Sequence, residues 1–423
     1  MKKITNTKYK NFLKIRNIKS ISLTSPRYRE ELEEIAEVIL KEYDKNTEKL
    51  QIVFDDFQKL KMPITLRIAA KLALSYSLTR TIDKEVCVSV VFPVYNEKNR
   101  LHRSKDHPHG ENFLRVKINQ LNKLASLNKN IHWRMIIVDD GSSDGTGHII
   151  NFILENEYPT YLQNKKVQVI FMKDALKKNL SYLEYVRDIK KSGKGSSILY
   201  GMDHAVKSYE SKKTEEHILC YTDADLSVHL GQIGMVVHQI LTDDCDAVIG
   251  QRRLKDSVTV RPKLKSARGK LYLFLLKQVI PLLKGSITDT QAPFKVMKEK
   301  AFKSVLKLMR EPGFGFDVEL LILLKLLGFR VCNYGLCFID SNKSSHTNSS
   351  SVHLKMLKNI LNVRKRHIPR VPASPEYEKF IKELTITEWK TLTERIPDYI
   401  RRANPARIDK LSVSPTELKQ ITK

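Results

Sequence analysis

The stretch from His217 to Ser227, HILCYTDADLS, limits the folds open to this chain more than any other. An apolar run that reads as a buried strand stops abruptly at two aspartates, Asp223 and Asp225, one residue apart. In an open parallel α/β sheet, ligands collect beyond the carboxyl ends of the strands, so carboxylates placed there point into a site and not into the core. Hard cations such as Mg²⁺ or Mn²⁺ take oxygen ligands, commonly one or two carboxylates together with the phosphates of a nucleotide. Asp-x-Asp after a buried strand therefore reads as a clamp for a nucleotide diphosphate and its ion. Taken alone, such a pair is more often a turn former.

Other strand ends change that balance. The β-branched run from Val86 closes at Pro93 and leaves Tyr95, Asn96 and Glu97 in a loop where a base or ribose is held, or in an ordinary strand-to-helix turn. The run from Trp133 to Val138 ends in DDGSSDGT. Asp139 and Asp140 sit at the strand end, where acidic residues accept hydrogen bonds from a ribose or base edge, and Asp144 or Thr146 caps the next helix. Val167 to Met172 supplies a further strand. It leads to KSGKGSSILYGMDHA, where Lys194 precedes a helix whose amino terminus favours anions. The spacing is not that of a P-loop, and a solvated lysine is the competing reading.

The rest of the chain carries less chemistry. Residues 1–84 read as helical, with a start at Ser25-Pro26 and further helices over 45–60 and 64–78. His102, His107 and His109 lie within eight residues but have no cysteine or carboxylate set to complete a metal shell. A helix over 229–241 leads to a strand from Asp246 to Gly250, followed by Arg252 and Arg253. The segment from Pro262 to Gly285 grades from basic to apolar, and reads either as a soluble core helix or as an interfacial one. Asp317 and Glu319 open an apolar helix, where carboxylates complement the dipole. Val331 to Ile339 reads as the last core strand. Beyond Ser341 come a serine-rich linker, a basic helix over 352–366 and a helical tail with no functional reading.

The 423 residues suffice for one large core with accessory segments, or for two domains. A net charge of +27 favours nucleic acid, an anionic membrane surface or phosphorylated small molecules, unless it reflects a lysine-rich proteome. The five cysteines lack metal spacing and are expected to be buried, reduced thiols of a cytosolic protein. The amino terminus lacks the apolar core of a signal peptide, and no stretch reaches the roughly 18 to 20 apolar residues of a spanning helix.

Five pieces in this order, FPVYNE, VDDGSSDGT, GKGSSILYGM, YTDADLS and DTQAPFKV with GFDVELL, resemble the family 2 glycosyltransferases, and within them the dolichyl- and polyprenyl-phosphate glucosyltransferase and mannosyltransferase branch. The resemblance covers Val86 to Ile339. It implies the GT-A nucleotide-diphospho-sugar transferase fold, an α/β architecture with a mostly parallel sheet flanked by helices. Residues 1–84 and 341–423 would then be helical extensions around a domain at 85–340. Pro93, Tyr95, Glu97 and Asp139 or Asp140 would hold the nucleoside. Asp223 would lie against ribose and diphosphate, Asp225 would hold the Mg²⁺ or Mn²⁺, and Lys194 would touch phosphate. Arg252 and Arg268 would grip a lipid-phosphate acceptor. Where the branch has Gly-Ser-Arg this chain has Gly250-Gln251-Arg252, which removes the serine contact.

The chemistry agrees with that assignment. Glycosyl transfer passes through an oxocarbenium-like state, and charge builds on the leaving diphosphate where a divalent ion and a lysine stabilise it. A phosphate acceptor needs little help from a base, whereas a hydroxyl acceptor would need one, for which Asp317 is best placed. The expectation is an inverting hexosyltransferase that uses UDP-glucose first and GDP-mannose second. Polyprenyl phosphate is the expected acceptor, reached from the cytoplasmic face of an anionic membrane through residues 263–284 and the helix near Arg364. The competing readings are a soluble transferase acting on a protein or glycan hydroxyl, and a basic nucleic-acid-binding protein with a degenerate nucleotide fold. No aromatic-basic interleaving supports the latter.

Overall fold

The computed structural model describes Tyr9, Phe12 and residues 21–210, 215–285, 287–341 and 350–422. Three helices come first. Helix α1, Pro26–Glu42, begins with proline in its first turn and is capped by Ser25, which accepts from the Tyr28 amide. Helix α2, Thr47–Lys59, is capped in the same way by Asn46. Helix α3, Ile64–Arg80, is buried almost all round, which explains why its sequence carries no narrow apolar stripe.

The sheet then begins with β1, Val86–Val94, helix α4, Phe113–Leu127, and β2, Ile131–Asp139. Helix α5, Thr146–Glu157, β3, Val167–Phe171, helix α6, Lys194–Lys207, and β4, Glu216–Thr222, follow. The second half comprises α7, Ile233–Thr242, β5, Ala247–Gln251, β6, Val258–Val260, and α8, Lys263–Val279. Next are β7, Phe294–Lys298, α9, Glu299–Leu306, α10, Phe316–Leu326, β8, Val331–Gly335, and β9, Cys337–Ile339. The tail holds α11, Ser350–His367, α12, Pro375–Glu383, α13, Ile386–Glu394, and α14, Pro415–Ile421.

Seven strands form one sheet in the order β3-β2-β1-β4-β7-β5-β8, with β7 antiparallel to both of its neighbours and the other pairings parallel. This is the GT-A arrangement that the resemblance implies. Both faces are covered. Val88, Val90 and Phe92 share a core with Leu66, Leu72 and Ala73 of α3, while Val91, Ile136 and Val138 pack with Ile198, Leu199 and Met202 of α6. Burial on both sides is why these strands read as continuous apolar runs. Because β2 and β4 flank β1 in parallel, their carboxyl ends bring the loops after Val94, Asp139 and Thr222 to one edge.

Three expectations need correction. Cys245 and Cys332 form a disulfide, while Cys87, Cys220 and Cys337 are buried thiols. β5 and β8 are adjacent parallel strands with Ala247 paired to Val331, so cysteines 87 residues apart in sequence meet at their start. Val331 to Ile339 is two strands, because β9 leaves the main sheet at Leu336 and pairs with β6. Finally, α8 offers no interfacial face: Leu271, Leu273, Phe274, Leu275 and Leu276 are buried in a core shared with Leu357, Ile360, Phe380 and Trp389 of the tail. No helix among the described residues is long and apolar enough to cross a membrane.

Candidate active site

The loops after β1 and β2 are laced together. Asn96, at φ 53°, donates its amide to Ser142 Oγ (3.1 Å), and its side-chain oxygen accepts from the Ser143 amide (2.8 Å). The Glu97 amide donates to Thr146 Oγ1 at 2.9 Å. Asp139 organises the turn: Oδ1 accepts from the amides of Gly141 (2.9 Å) and Ser142 (2.7 Å), and Oδ2 from that of Gly147 (2.8 Å). A Cβ at Gly147 would lie 2.7 Å from that oxygen, so the turn needs glycine there. Both Asp139 oxygens are thus engaged by its own loop. Asp140 instead accepts from the Ser192 hydroxyl, and burial pushes its carboxyl up to about 6.

The Ser192 contact leads to the start of α6. There the Lys194 ammonium pairs with Asp223 beyond the end of β4. Burial by itself would lower that ammonium, but Asp223 and Asp317 outweigh it and raise it above its ordinary value. Asp225 has different company. It accepts from the Ser227 amide (3.1 Å), the Ser227 hydroxyl (2.9 Å) and the Ser341 hydroxyl (3.4 Å), and it has no cationic partner among the described residues. Glu111, buried, braces the turn by accepting from the Leu226 amide at 3.2 Å, and Arg100 joins Glu111 to Glu97. Burial, against the opposing charge of Arg100, pushes Glu97 up to about 7, and the charges of Asp225, Glu111 and Asp223 add to it. An all-oxygen donor pair, with one carboxylate in no direct ion pair among the described residues, fits a hard divalent ion.

A cavity of 240 Å³ opens from this pair, lined by Lys194, Asp223, Asp225 and Asp317 together with Arg252, Arg253, Arg261, Lys265 and Arg268. Arg252 is engaged twice by Asp289. Gln251 holds the loop that carries Asp289, its side-chain oxygen accepting from the amides of Thr288 (2.5 Å) and Asp289 (3.2 Å). Glutamine at 251 therefore serves the framework of the site. Asp317 is buried, and its Oδ1 accepts from both Lys295 Nζ and Tyr221 OH at 2.5 Å. Pro93, Tyr95, Glu97, Asp139 and Asp140 are not on the cavity wall, and Tyr95 is half exposed.

Sequence reasoning missed several residues of this cavity. Arg261 lies beside the proline that starts α8, and Asp289 opens the DTQAP motif, so both carried a local signal. Tyr272, on α8, and Met356 and Trp389, on the tail, carried none. His102, His107 and His109 stack their rings, with centroids 5.5 and 5.7 Å apart. The one convergent set of possible ligand atoms among the described residues is Glu85, His132 and Glu215, near the amino ends of the strands. Glu319, the second carboxylate of α10, does more than complement a dipole. It accepts from the amides of Arg310 and Glu311 and from the side chains of Arg366 and His367 on α11.

Comparison with known proteins gives a consistent picture. Residues 89–306 match the family described as Glycosyl transferase family 2. A dolichyl-phosphate beta-glucosyltransferase of Dictyostelium discoideum is 24% identical over 289 residues, 67% of this chain and 75% of that protein. The Saccharomyces cerevisiae protein of the same name is 24% identical over 57% of this chain and 63% of its own. Glycosyltransferase AglD of Haloferax volcanii is 22% identical over 58% of this chain, and the match spans only 32% of that relative's length. A crystal structure of glucosyl-3-phosphoglycerate synthase from Mycobacterium tuberculosis with Mn²⁺, UDP and glucosyl-3-phosphoglycerate aligns at 15% identity over 69% of this chain and 83% of its own, with a TM-score of 0.43.

Proposed function

The chain belongs to glycosyl transferase family 2, and on that premise we propose that it transfers a hexose, with inversion, from a nucleotide sugar to polyprenyl phosphate. UDP-glucose is the first donor and GDP-mannose the second. The observation that carries the proposal is the cavity that joins the Asp223 and Asp225 pair to a cluster of arginines. A nucleotide-sugar diphosphate with its ion needs the carboxylate pair, and a phosphate acceptor needs the arginines. The names of the Dictyostelium and yeast relatives support glucose as the sugar and a dolichyl-type phosphate as the acceptor.

In this reading Pro93, Tyr95, Glu97 and Asp140 hold the nucleoside, with Asp139 fixing their loop. Asp225, with Asp223, holds Mg²⁺ or Mn²⁺. When bound, that ion neutralises charge on the departing diphosphate. Lys194 adds a buried ammonium at the same point, where a preorganised charge acts most strongly. Arg252 and Arg268 take the acceptor phosphate, which is already ionised and attacks the anomeric carbon from the face opposite the nucleotide. The two donors already on Asp317 Oδ1 favour this acceptor over a hydroxyl that needs a base. Residues 85–340 form the transferase unit, and the extensions brace it. Any contact with an anionic membrane is peripheral and electrostatic, since the leucines of α8 are covered.

The test is UDP and GDP release from a panel of nucleotide sugars with Mn²⁺, with and without polyprenyl phosphate, for the wild type and Asp225→Ala. Release stimulated by the lipid and lost in the variant is the expected result. Release that ignores the lipid would move the acceptor to proteins or glycans, and no release from any donor would overturn the enzyme reading.

A further inference from the structure

The tail beyond residue 341 lies outside the matched family segment, yet it forms part of the cavity wall. Val352 and Met356 of α11 and Trp389 and Thr393 of α13 line the same space as Asp223. Trp389 is 2% exposed, and α8 carries the residues that face it across the shared core. The cavity thus has two kinds of wall. One is cationic and comes from the segments after β5 and β6 and from α8; the other is apolar and comes from the tail together with Leu273, Phe314 and Phe338.

The cationic wall holds polar atoms that the fold leaves unused. The Tyr272 hydroxyl is buried without a hydrogen-bond partner, in a residue only 5% exposed. The Nε atoms of Arg268 and Arg261 are likewise buried and unmatched, and Arg261 Nε is 3.9 Å from the nearest Asp340 oxygen. A buried polar group without a partner is unfavourable, so three of them in residues that line one cavity point to a ligand that supplies acceptor oxygens. Five cations, Arg252, Arg253, Arg261, Lys265 and Arg268, share the lining with Asp289 and Asp340, and an anionic phosphate suits them.

We propose that the acceptor subsite is a composite in which Tyr272 and Arg268 bind the acceptor's phosphate oxygens and Trp389 and Met356 of the tail pack against the hydrocarbon next to that phosphate. The inference rests on the transferase reading above, which already names Arg268, and adds Tyr272, Trp389 and Met356 to it. It also gives the tail a role in specificity. The tail sets which acceptors fit, because it supplies the wall that a bare phosphate does not need. Glu319 ties that wall to the transferase unit, since its carboxylate accepts from Arg366 (2.8 Å) and His367 (2.7 Å) of α11.

The experiment uses the full chain with a UDP-sugar, Mn²⁺, and either long prenyl phosphate, short prenyl phosphate or inorganic phosphate as acceptor. In Tyr272→Phe the KM for every phosphate acceptor should rise about 10- to 100-fold, the worth of one hydrogen bond to a charged group, with kcat little changed. Its thermal midpoint should hold or rise, because the hydroxyl removed has no partner in the fold; a hydroxyl with a structural role would lower it. Trp389→Phe should raise the KM for long and short prenyl phosphates and leave that for inorganic phosphate near the wild-type value. Unchanged KM values in both variants, with donor turnover intact in the wild type and lost in Asp225→Ala, would overturn the composite subsite and spare the transferase reading. Absence of donor turnover in the wild type would instead remove the reading on which this inference stands. A preference for inorganic phosphate over any prenyl phosphate in the wild type would overturn the hydrocarbon wall.

Discussion

Arg252 and Asp289 are joined at two points, with Arg252 Nε donating to Oδ2 at 2.6 Å and a terminal nitrogen donating to Oδ1 at 3.0 Å. Burial alone would raise the Asp289 carboxyl, but Arg252 and Arg253 outweigh it and hold it well below the usual carboxylate range. The pair sets where the Arg252 guanidinium sits on the cavity wall. It also leaves Arg268, which has no such partner among the described residues, as the freer cation.

Removing one member of a buried pair leaves the other uncompensated. Asp289→Ala is therefore expected to destabilise the fold by about 3 to 5 kcal/mol, read as a lower midpoint in urea denaturation. Asp289→Asn keeps the shape and one acceptor oxygen, and should lose less. Equal losses in the two variants would show that the charge is not what matters.

Asp140 predicts a gain of stability. Its carboxyl is pushed up to about 6 from an ordinary 3.8, by burial against the opposing hydrogen bond from Ser192. Between those values the folded state keeps a proton that the unfolded state has lost, so stability falls as pH rises through the window and the full penalty stands above about 6. Asp140→Asn should raise stability by about 1 to 3 kcal/mol at neutral pH and much less at pH near 4. Under the proposed function it should also weaken UDP binding, measured by calorimetry. A variant less stable than the wild type at neutral pH would refute the sign.

The disulfide between Cys245 and Cys332 closes a loop of 87 residues. Loop closure on that scale restricts the unfolded chain by about 4 kcal/mol, so a reductant should lower the denaturation midpoint of the wild type and leave Cys332→Ser unaffected. No shift on reduction would mean that the two thiols remain unpaired in solution.

Part of this protein was legible because the signals are local. The apolar runs of β1, β2 and β4 each carry their own acidic or polar end, and that pattern needs no partner to be read. Lys194 at the start of α6 and the Asp223 and Asp225 pair belong to the same class. Gln251 was legible as a departure but not as a device, because the loop it holds lies 37 residues on.

The sequence by itself determined the strand runs, the turn chemistry at their ends, and hence an α/β sheet with a polar edge, since those depend on side-chain periodicity and on residues a few positions apart. Only the tertiary structure decided the rest. It inserted β7 antiparallel in the middle of the sheet and paired Arg252 with Asp289 and Cys245 with Cys332. It also separated Asp139, held by its own loop, from Asp140. It covered the leucines of α8 with the tail and brought Trp389 to the wall that Asp223 shares. Each of these is a contact between residues far apart in the chain, settled by which faces must be buried together and not by any local preference.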